Sequence, residues 1–397
     1  MMQTPYTKNL TLEEMEANPY DVYRRLRAES PVVYIPAVNS WLVTKWDDVQ
    51  KIGTSPDLFQ ATDEEAPVSI HFGKTAIIHT DGDLHRELRG GLAPHYAPRK
   101  VAEYIEDLVV PLAEECIAAF PEDGNVNLVD DYFEPISVQC LARTLGVNGI
   151  DTKTLQEWFH GLVMGAINYS RDPERTRICE ETKKKIDKAL DPIFAELEKA
   201  PNNTPLSHLM YHGMPEGERR SREFIMPTVL VMLLGGAQEP GHGAASTMAA
   251  LLENPDQLDL VRSDMATNLP KAVAEGIRWV APIGTQVRKT TQDVELNGVT
   301  IPEGQTVCAV LASANRDEDV FDDADRFDIE RDAKNHAAFG FGPHFCAGKW
   351  MASPQMEIAI RVLLEKFSSI TLDTEKPHDF FGWEFRAPTS LWVHAKP

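Results

Sequence analysis

The stretch from about Arg222 to Glu253 constrains the fold more than any other part of the chain. It reads as one long, mostly apolar helix. At 1.5 Å per residue it spans about 45 Å, the width of a whole domain. Its longest apolar run, around residues 225–237, falls short of the roughly 20 residues that cross a bilayer, so the helix belongs to a protein core. Its centre is unusual. The string GGAQEPGHG, residues 235–243, carries four glycines, one glutamate and one proline. Gly costs a helix about 1 kcal/mol against Ala, and Pro about 3. Pro240 lacks an N–H and leaves the carbonyl of Gly236 without its usual donor; taken alone it reads as a kink. Glu239 is different, because an acid inside an apolar helix demands water or a partner.

The rest of the chain reads as mainly helical. NPYDVYRRLRAE is a first helix, with Asn18 as cap and Pro19 in its first turn. PVVYIP and SWLVTK are β-rich and form a hairpin. Helical periods follow in RKVAEYIEDLVVPLAEECIAAF, DTKTLQEWFHGLVMGAI and KKKIDKALDPIFAELEKA, and a last helix covers residues 347–367. Between Trp279 and that last helix, alternation and an Asn297-Gly298 turn mark a small sheet, and SITLDTE and TSLWVHA give terminal strands. No repeat or linker divides the chain, so residues 1–397 are expected to form one domain.

A formal charge of −22 argues against nucleic acid or an anionic membrane as the main partner. Five scattered cysteines without a CxxC pair exclude a disulfide framework and a zinc cage, and point to a reducing compartment. The opening MMQTPYTKNL has no basic segment followed by an apolar run, so no signal peptide is expected. A cytoplasmic protein is the expectation.

The most specific segment is FGFGPHFCAG, residues 339–348. Gly340, Gly342 and Gly348 allow close backbone approach to something flat, and Phe339 and Phe345 offer apolar walls. Cys346 precedes a helix, whose free N–H groups lower a thiol pKa. A thiolate in a dry, Gly-lined loop is what an axial haem ligand requires. The spacing of Phe339, Gly340, Gly342, His344, Cys346 and Gly348 resembles the haem-ligand signature FGxGxHxCxG of the cytochrome P-450 (haem-thiolate) monooxygenases.

That resemblance implies a mainly α, single-domain cytochrome P-450 fold, helix-rich with small antiparallel β-sheets. It implies haem b held by Cys346 as metal ligand, with His85, Arg89, Arg288, His344, Phe339 and Gly340 at the cofactor. It also implies a buried cluster of Glu275, Arg278 and Arg326 as scaffold; taken alone, the Glu275/Arg278 spacing reads as a solvated ion pair. Gly235 and Gly236 would let the central helix lie over the porphyrin. Glu239 matches the family's proton-delivering acid, but Pro240 stands where most members have threonine. Gln238, His242, a water or the substrate's hydroxyl are the substitutes for the missing hydroxyl.

The string QEPGHGAAST further resembles the central helix of the guaiacol O-demethylases, as do NPYDVYRRLRAE, FIMPTVLVMLLGG and FGWEFRAPTSL their counterparts. The substrate wall implied is Phe72, Ile78, Ala166, Val231, Leu234, Gly235 and Phe385. Ala166 falls where that branch carries a larger aromatic, which makes room for a para alkyl group. The implied activity is O-demethylation of guaiacol or 4-alkylguaiacols to catechols and formaldehyde, with O₂ and with electrons from NAD(P)H through a separate flavin/iron-sulfur reductase, since no GxGxxG strand-turn-helix or Cys₄ spacing occurs. Arg86, Arg99, Lys100 and Lys349 are the expected docking patch. The competing readings are hydroxylation of another small aromatic, a peroxide-driven peroxygenase, and a non-enzymatic haem-thiolate sensor.

Overall fold

A computed structural model describes residues 4–331 and 336–397, with Gln238 described by its backbone alone. The central helix, Arg222–Glu253, is continuous through both Pro227 and Pro240. Ser221 caps it, its hydroxyl accepting from the Phe224 N–H. The glycines of its middle turn out to have separate uses. A Cβ on Gly236 would lie 2.7 Å from Leu141 Cδ1, one on Gly241 3.0 Å from the Phe133 carbonyl, and one on Gly243 2.7 Å from Met356 Sδ. These three glycines therefore seat neighbouring helices against the central one. Gly235 alone faces open space, with Glu239 Oε2 at 3.7 Å. The expected haem-facing role of Gly236 is thus corrected: Leu141 of helix Glu134–Leu145 already occupies that side.

Helices Glu134–Leu145, Thr152–Ala166, Met265–Val280 and Lys349–Lys366 surround the central helix. Two apolar clusters meet on it. One contains Ala245, Met248, Ile277 and Leu363; the other contains Leu141, Phe159, Leu230 and Leu234. The period expected as one helix near residues 99–120 breaks at Glu103–Tyr104, giving Pro98–Ala102 and Ile105–Ala118. Helix Pro173–Lys199 begins earlier than its apolar period, because Asp172 caps it and Pro173 opens it.

The strands are β1 Val32–Ile35, β2 Ser40–Val43, β3 Phe59–Gln60, β4 Asn125–Asn127, β5 Gln286–Thr290, β6 Val294–Leu296, β7 Val299–Ile301, β8 Thr306–Ala309, β9 Ser369–Leu372, β10 Phe380–Phe381, β11 Ala387–Pro388 and β12 Trp392–Lys396. A five-stranded sheet runs β1-β2-β8-β5-β3. All its pairs are antiparallel except β2 with β8, where Trp41 sits beside Val307. The β1–β2 hairpin turns through Asn39 at φ 48°. Asn297 and Gly298, both at positive φ, close the β6–β7 hairpin as the sequence predicts. Among the described residues no helix is long and apolar enough to cross a membrane.

Candidate active site

Cys346 lies on the loop that enters helix Lys349–Lys366, with Gly348 at the cap. The loop is pinned by two reciprocal contacts with its own start: the Cys346 N–H donates to the Phe339 carbonyl at 2.9 Å, and the Gly340 N–H to Ala337 at 2.7 Å. Gly340 and Gly342 hold φ of 68° and 67°, a region few side chains tolerate. A Cβ on Gly342 would lie 2.1 Å from the Gly53 carbonyl, so that glycine seats the loop on its neighbour. Phe339 and Phe345 stand 6.4 Å apart, and the Lys349 ammonium lies 5.3 Å from each ring.

The thiol's electrostatics are a balance. Burial pushes the Cys346 pKa up, against the Gly348 N–H and the Arg89 charge, which pull it down, while Glu239 adds to the rise. The net direction is upward, which corrects the expectation that the helix end alone makes a thiolate. An iron held at this sulfur would supply the missing positive charge, since a coordinating thiol is deprotonated outright. That Glu239 acts on Cys346 also means that the central helix and the Cys loop face one another.

Four basic side chains converge beside this loop. The His85 and His344 rings lie 4.1 Å apart. His344 Nε2 contacts Asp81 Oδ1 at 3.2 Å, and Arg89 donates to the Phe345 carbonyl at 2.6 Å. Arg288, on β5, donates to its neighbour Val287 at 2.7 Å. His85 Nε2 and Arg288 Nη2 are buried without a hydrogen-bond partner among the described residues. Burial, then the neighbouring His344 charge, lowers His85 to about 4; burial lowers Arg288 to about 10. Buried orphan donors of this kind destabilise a fold unless something accepts from them. A carboxylate-bearing ring above Cys346 answers that need, so the residues present fit a haem with its two propionates.

Glu275 and Arg278 form a buried two-bond fork, 2.7 Å at each contact. The second arginine at Glu275 is Arg331, with Nε 3.2 Å from Oε1, and not Arg326. Phe327 and Ile329 take the inward positions of this segment, so the adjacent Arg326 side chain is exposed. Arg326 contributes only its carbonyl, which accepts from Arg278 at 3.1 Å and from Arg331 at 3.0 Å. Sequence reasoning missed Arg331 although it ends the segment DADRFDIER that also holds Arg326; the alternation of Phe327 and Ile329 was the available signal.

On the central helix, Glu239 is buried, and neither carboxyl oxygen has a hydrogen-bond partner among the described residues. Burial holds its pKa well above the usual carboxylate range. His242 points elsewhere: its Nε2 contacts Glu134 Oε1 at 3.1 Å. The Gln238 side chain lies outside the described residues. Phe72, Ala166 and Leu234 are buried in one apolar cluster, with Val231 and Phe385 packed against it. Ile78 stands apart at 38% exposure, while its neighbour Ile77 joins the cluster. The 73–79 loop is tied to the central helix by the Ile77 N–H to Thr228 Oγ1, 3.0 Å, and Thr75 Oγ1 to the Phe224 carbonyl, 2.8 Å.

A cysteine loop, a propionate cradle and a helix with a buried acid opposite the cysteine define a haem-thiolate protein. The Cytochrome P450 family profile matches residues 4–393, and the chain belongs to that family. It is 30% identical over 372 residues to the cytochrome P450 monooxygenase PikC of Streptomyces venezuelae, covering 91% of this chain and 86% of that protein. It is 30% identical over 351 residues to a vitamin D(3) 25-hydroxylase of Pseudonocardia autotrophica, covering 86% and 85%. Among solved structures, ligand-free cytochrome P450 TbtJ1 superposes with a TM-score of 0.84 at 26% identity, covering 95% of this chain and 97% of that one. The family uses a Cys-ligated haem, O₂ and reductase-supplied electrons, and its bacterial members draw these from separate redox partner proteins. This chain is a cytochrome P450 monooxygenase.

Proposed function

We propose that this monooxygenase O-demethylates small methoxy-phenols, guaiacol or a 4-alkylguaiacol, to a catechol and formaldehyde. The observation that carries the reading is the Glu239-Pro240 pair: a buried acid with no hydrogen-bond partner among the described residues, followed by a proline inside the helix, where the family resemblance implies a threonine in most members. The flanking string QEPGHGAAST is similar to the guaiacol O-demethylase helix. Two features support a small aromatic substrate. Phe72, Val231, Leu234 and Phe385 share one apolar cluster that would wall the substrate, and Ala166 is its small member, where an alkyl group would sit.

When bound, the haem supplies activation of O₂ and insertion of one oxygen atom at a C–H bond. The balance is one aryl methyl ether, O₂, two electrons and two protons giving one phenol, formaldehyde and water. Cys346 would hold the iron; His85, Arg89, Arg288 and His344 would hold the propionates. The apolar walls exclude water and present the methoxy carbon. Glu239, whose pKa burial raises well above the usual carboxylate range, would donate a proton at its carboxyl oxygen and then be refilled. The hydroxylated methyl, a hemiacetal, needs no further catalytic group to fall apart.

The test is a panel of guaiacol, 4-alkylguaiacols, syringol and methoxybenzoates, read by the spin-state shift and by formaldehyde. Guaiacols with a para alkyl group should give the largest shift and stoichiometric formaldehyde. No response to any aryl methyl ether overturns the reading. Turnover driven far better by peroxide than by NADH with a reductase would instead assign a peroxygenase.

A further inference from the structure

Neither carboxyl oxygen of Glu239 has a hydrogen-bond partner among the described residues. The same helix also borders a chain of titratable groups that the site described above does not use. Glu134, 3% exposed, opens helix Glu134–Leu145. Its Oε1 faces His242 Nε2 at 3.1 Å, and its Oε2 faces His160 Nε2 at 3.3 Å. His242, on the central helix, is 13% exposed, whereas His160, on helix Thr152–Ala166, is 57% exposed. The three side chains thus form a line from solvent to the helix that carries Glu239. Phe159 walls this line, 5.9 Å from the His242 ring and 4.8 Å from that of His160. His242 follows Glu239 by three residues, a spacing that makes them neighbours on a helix surface.

We propose that His160, Glu134 and His242 form a proton-entry relay that refills Glu239 from solvent. His160 Nε2 gives its proton to Glu134 Oε2. Glu134, a carboxylate between transfers, carries that proton across by carboxyl rotation and passes it to His242 Nε2. The His242 imidazole then releases its other ring proton toward Glu239 through a bridging water, and His160 takes the next proton from solvent. No electrons move; one proton crosses per cycle, Glu134 returns to the carboxylate, and each imidazole regains its starting tautomer by ring rotation. These are positioning and relay residues; Glu239 alone faces the reacting atoms. The inference rests on the monooxygenase reaction, which consumes protons, and it deepens the proposed function without depending on which ether is the substrate.

A purely structural ion pair needs one cation on this carboxylate. Here both oxygens carry a histidine, and the two histidines differ in exposure in the order that a relay requires. The groups facing Glu134 are His160 from helix Thr152–Ala166, His242 from the central helix, and Asp130 from the preceding segment, with Asp131 beyond it. Gln156 Nε2 also donates to Oε2 at 3.3 Å. The hydrogen bond to Glu134 raises the His160 pKa, so the entry group is protonated more of the time near neutral pH.

The experiment uses the haem-loaded protein with its reductase and three variants, His160→Asn, Glu134→Gln and His242→Asn. The expected result is a loss of product per NADH, with peroxide rising and a larger solvent isotope effect. Glu134→Gln should slow product formation about tenfold, less than the hundredfold or more of a lost general acid because water can partly substitute. His160→Asn should remove the fall in coupling that the wild type shows as pH rises through the raised His160 value. A second readout needs no turnover. In ¹⁵N-histidine spectra of the reduced, CO-bound protein, the His160 inflection should drop in Glu134→Gln. Unchanged coupling and isotope effect in both Glu134→Gln and His160→Asn overturn the relay, even if stability falls. Absence of formaldehyde in the wild type overturns the demethylation reading instead; the isotope effect is then read on NADH oxidation with whichever ligand shifts the spin state.

Discussion

At the scale of the residue, two side chains are proposed to carry the chemistry, and each makes a separable claim. Cys346 is the proposed iron ligand, so Cys346→Ala should abolish the far-red Soret band of the reduced, CO-bound protein; an unchanged band removes the assignment. Burial holds the Glu239 pKa well above the usual carboxylate range, and as the proposed proton donor its replacement, Glu239→Gln, should lower product per NADH and raise peroxide without weakening the spin-state shift on substrate binding. Arg331 and Arg326 separate scaffold from surface. Arg331 bonds a buried carboxylate, and a hydrogen bond to a charged group is worth about 1.5–3 kcal/mol. Arg331→Ala should therefore cost about 2 kcal/mol in urea unfolding, while Arg326→Ala, an exposed side chain, should stay within about 0.5 kcal/mol. The sequence shows both arginines five residues apart; it does not show which one turns inward. That choice is made by Phe327 and Ile329, which claim the core and push Arg326 out. The Cys loop was legible because its glycines and histidine are fixed by local geometry, whereas the ion cluster depends on contacts between distant segments.

At the scale of the element, the central helix shows how much a sequence can specify and where it stops. Its bounds, Arg222–Glu253, follow from its capping serine and apolar length. The division of labour among its glycines does not follow, because a glycine's neighbour is set by the packing of other helices. The same packing logic gives a prediction one helix away. A Cβ on Gly276 would meet Thr247 Oγ1 at 2.1 Å and Thr247 Cα at 3.0 Å, so helix Met265–Val280 sits against the central helix with no spare room. Gly276→Ala should destabilise the protein by about 1–3 kcal/mol through overpacking, despite a favourable change in helix propensity. Glu134 binds three helices together, and its linkage to pH is defined in sign. Its two histidines outweigh burial and hold its pKa down at about 2; that contribution is full above the unfolded value near 4.3 and fades as pH falls toward 2. The His160 pKa is raised, so its contribution is full below about 6.5 and fades as pH rises through the raised value. The wild type should thus gain most from this cluster between about pH 4.3 and 6.5, and Glu134→Gln should flatten the stability profile at both ends of that window.

At the scale of the whole molecule, a chain with a formal charge of −22 must still receive electrons from another protein. Long-range repulsion from that charge works against an acidic partner, so docking depends on a local positive surface beside Cys346. The four basic residues expected there are not equal. Arg86 pairs with Asp83 and Lys100 with Glu103, all largely exposed, and such pairs cancel much of their outward field. Lys349 has no acidic partner of this kind among the described ion pairs; it sits among the rings of Phe339, Phe345 and Trp350, and Trp350 is 48% exposed. We therefore expect Lys349 and Trp350 to dominate docking, one through rate and the other through contact. Lys349→Glu should slow haem reduction by the reductase about tenfold at low salt, with the difference shrinking as ionic strength approaches 0.5 M, because a charge on the rim acts on the association rate and is screened. Trp350→Ala should weaken the complex about equally at both salts, as loss of a buried aromatic anchor does. Stopped-flow reduction under CO separates the two. Equal salt dependence in the wild type and Lys349→Glu would place the docking face elsewhere on the molecule.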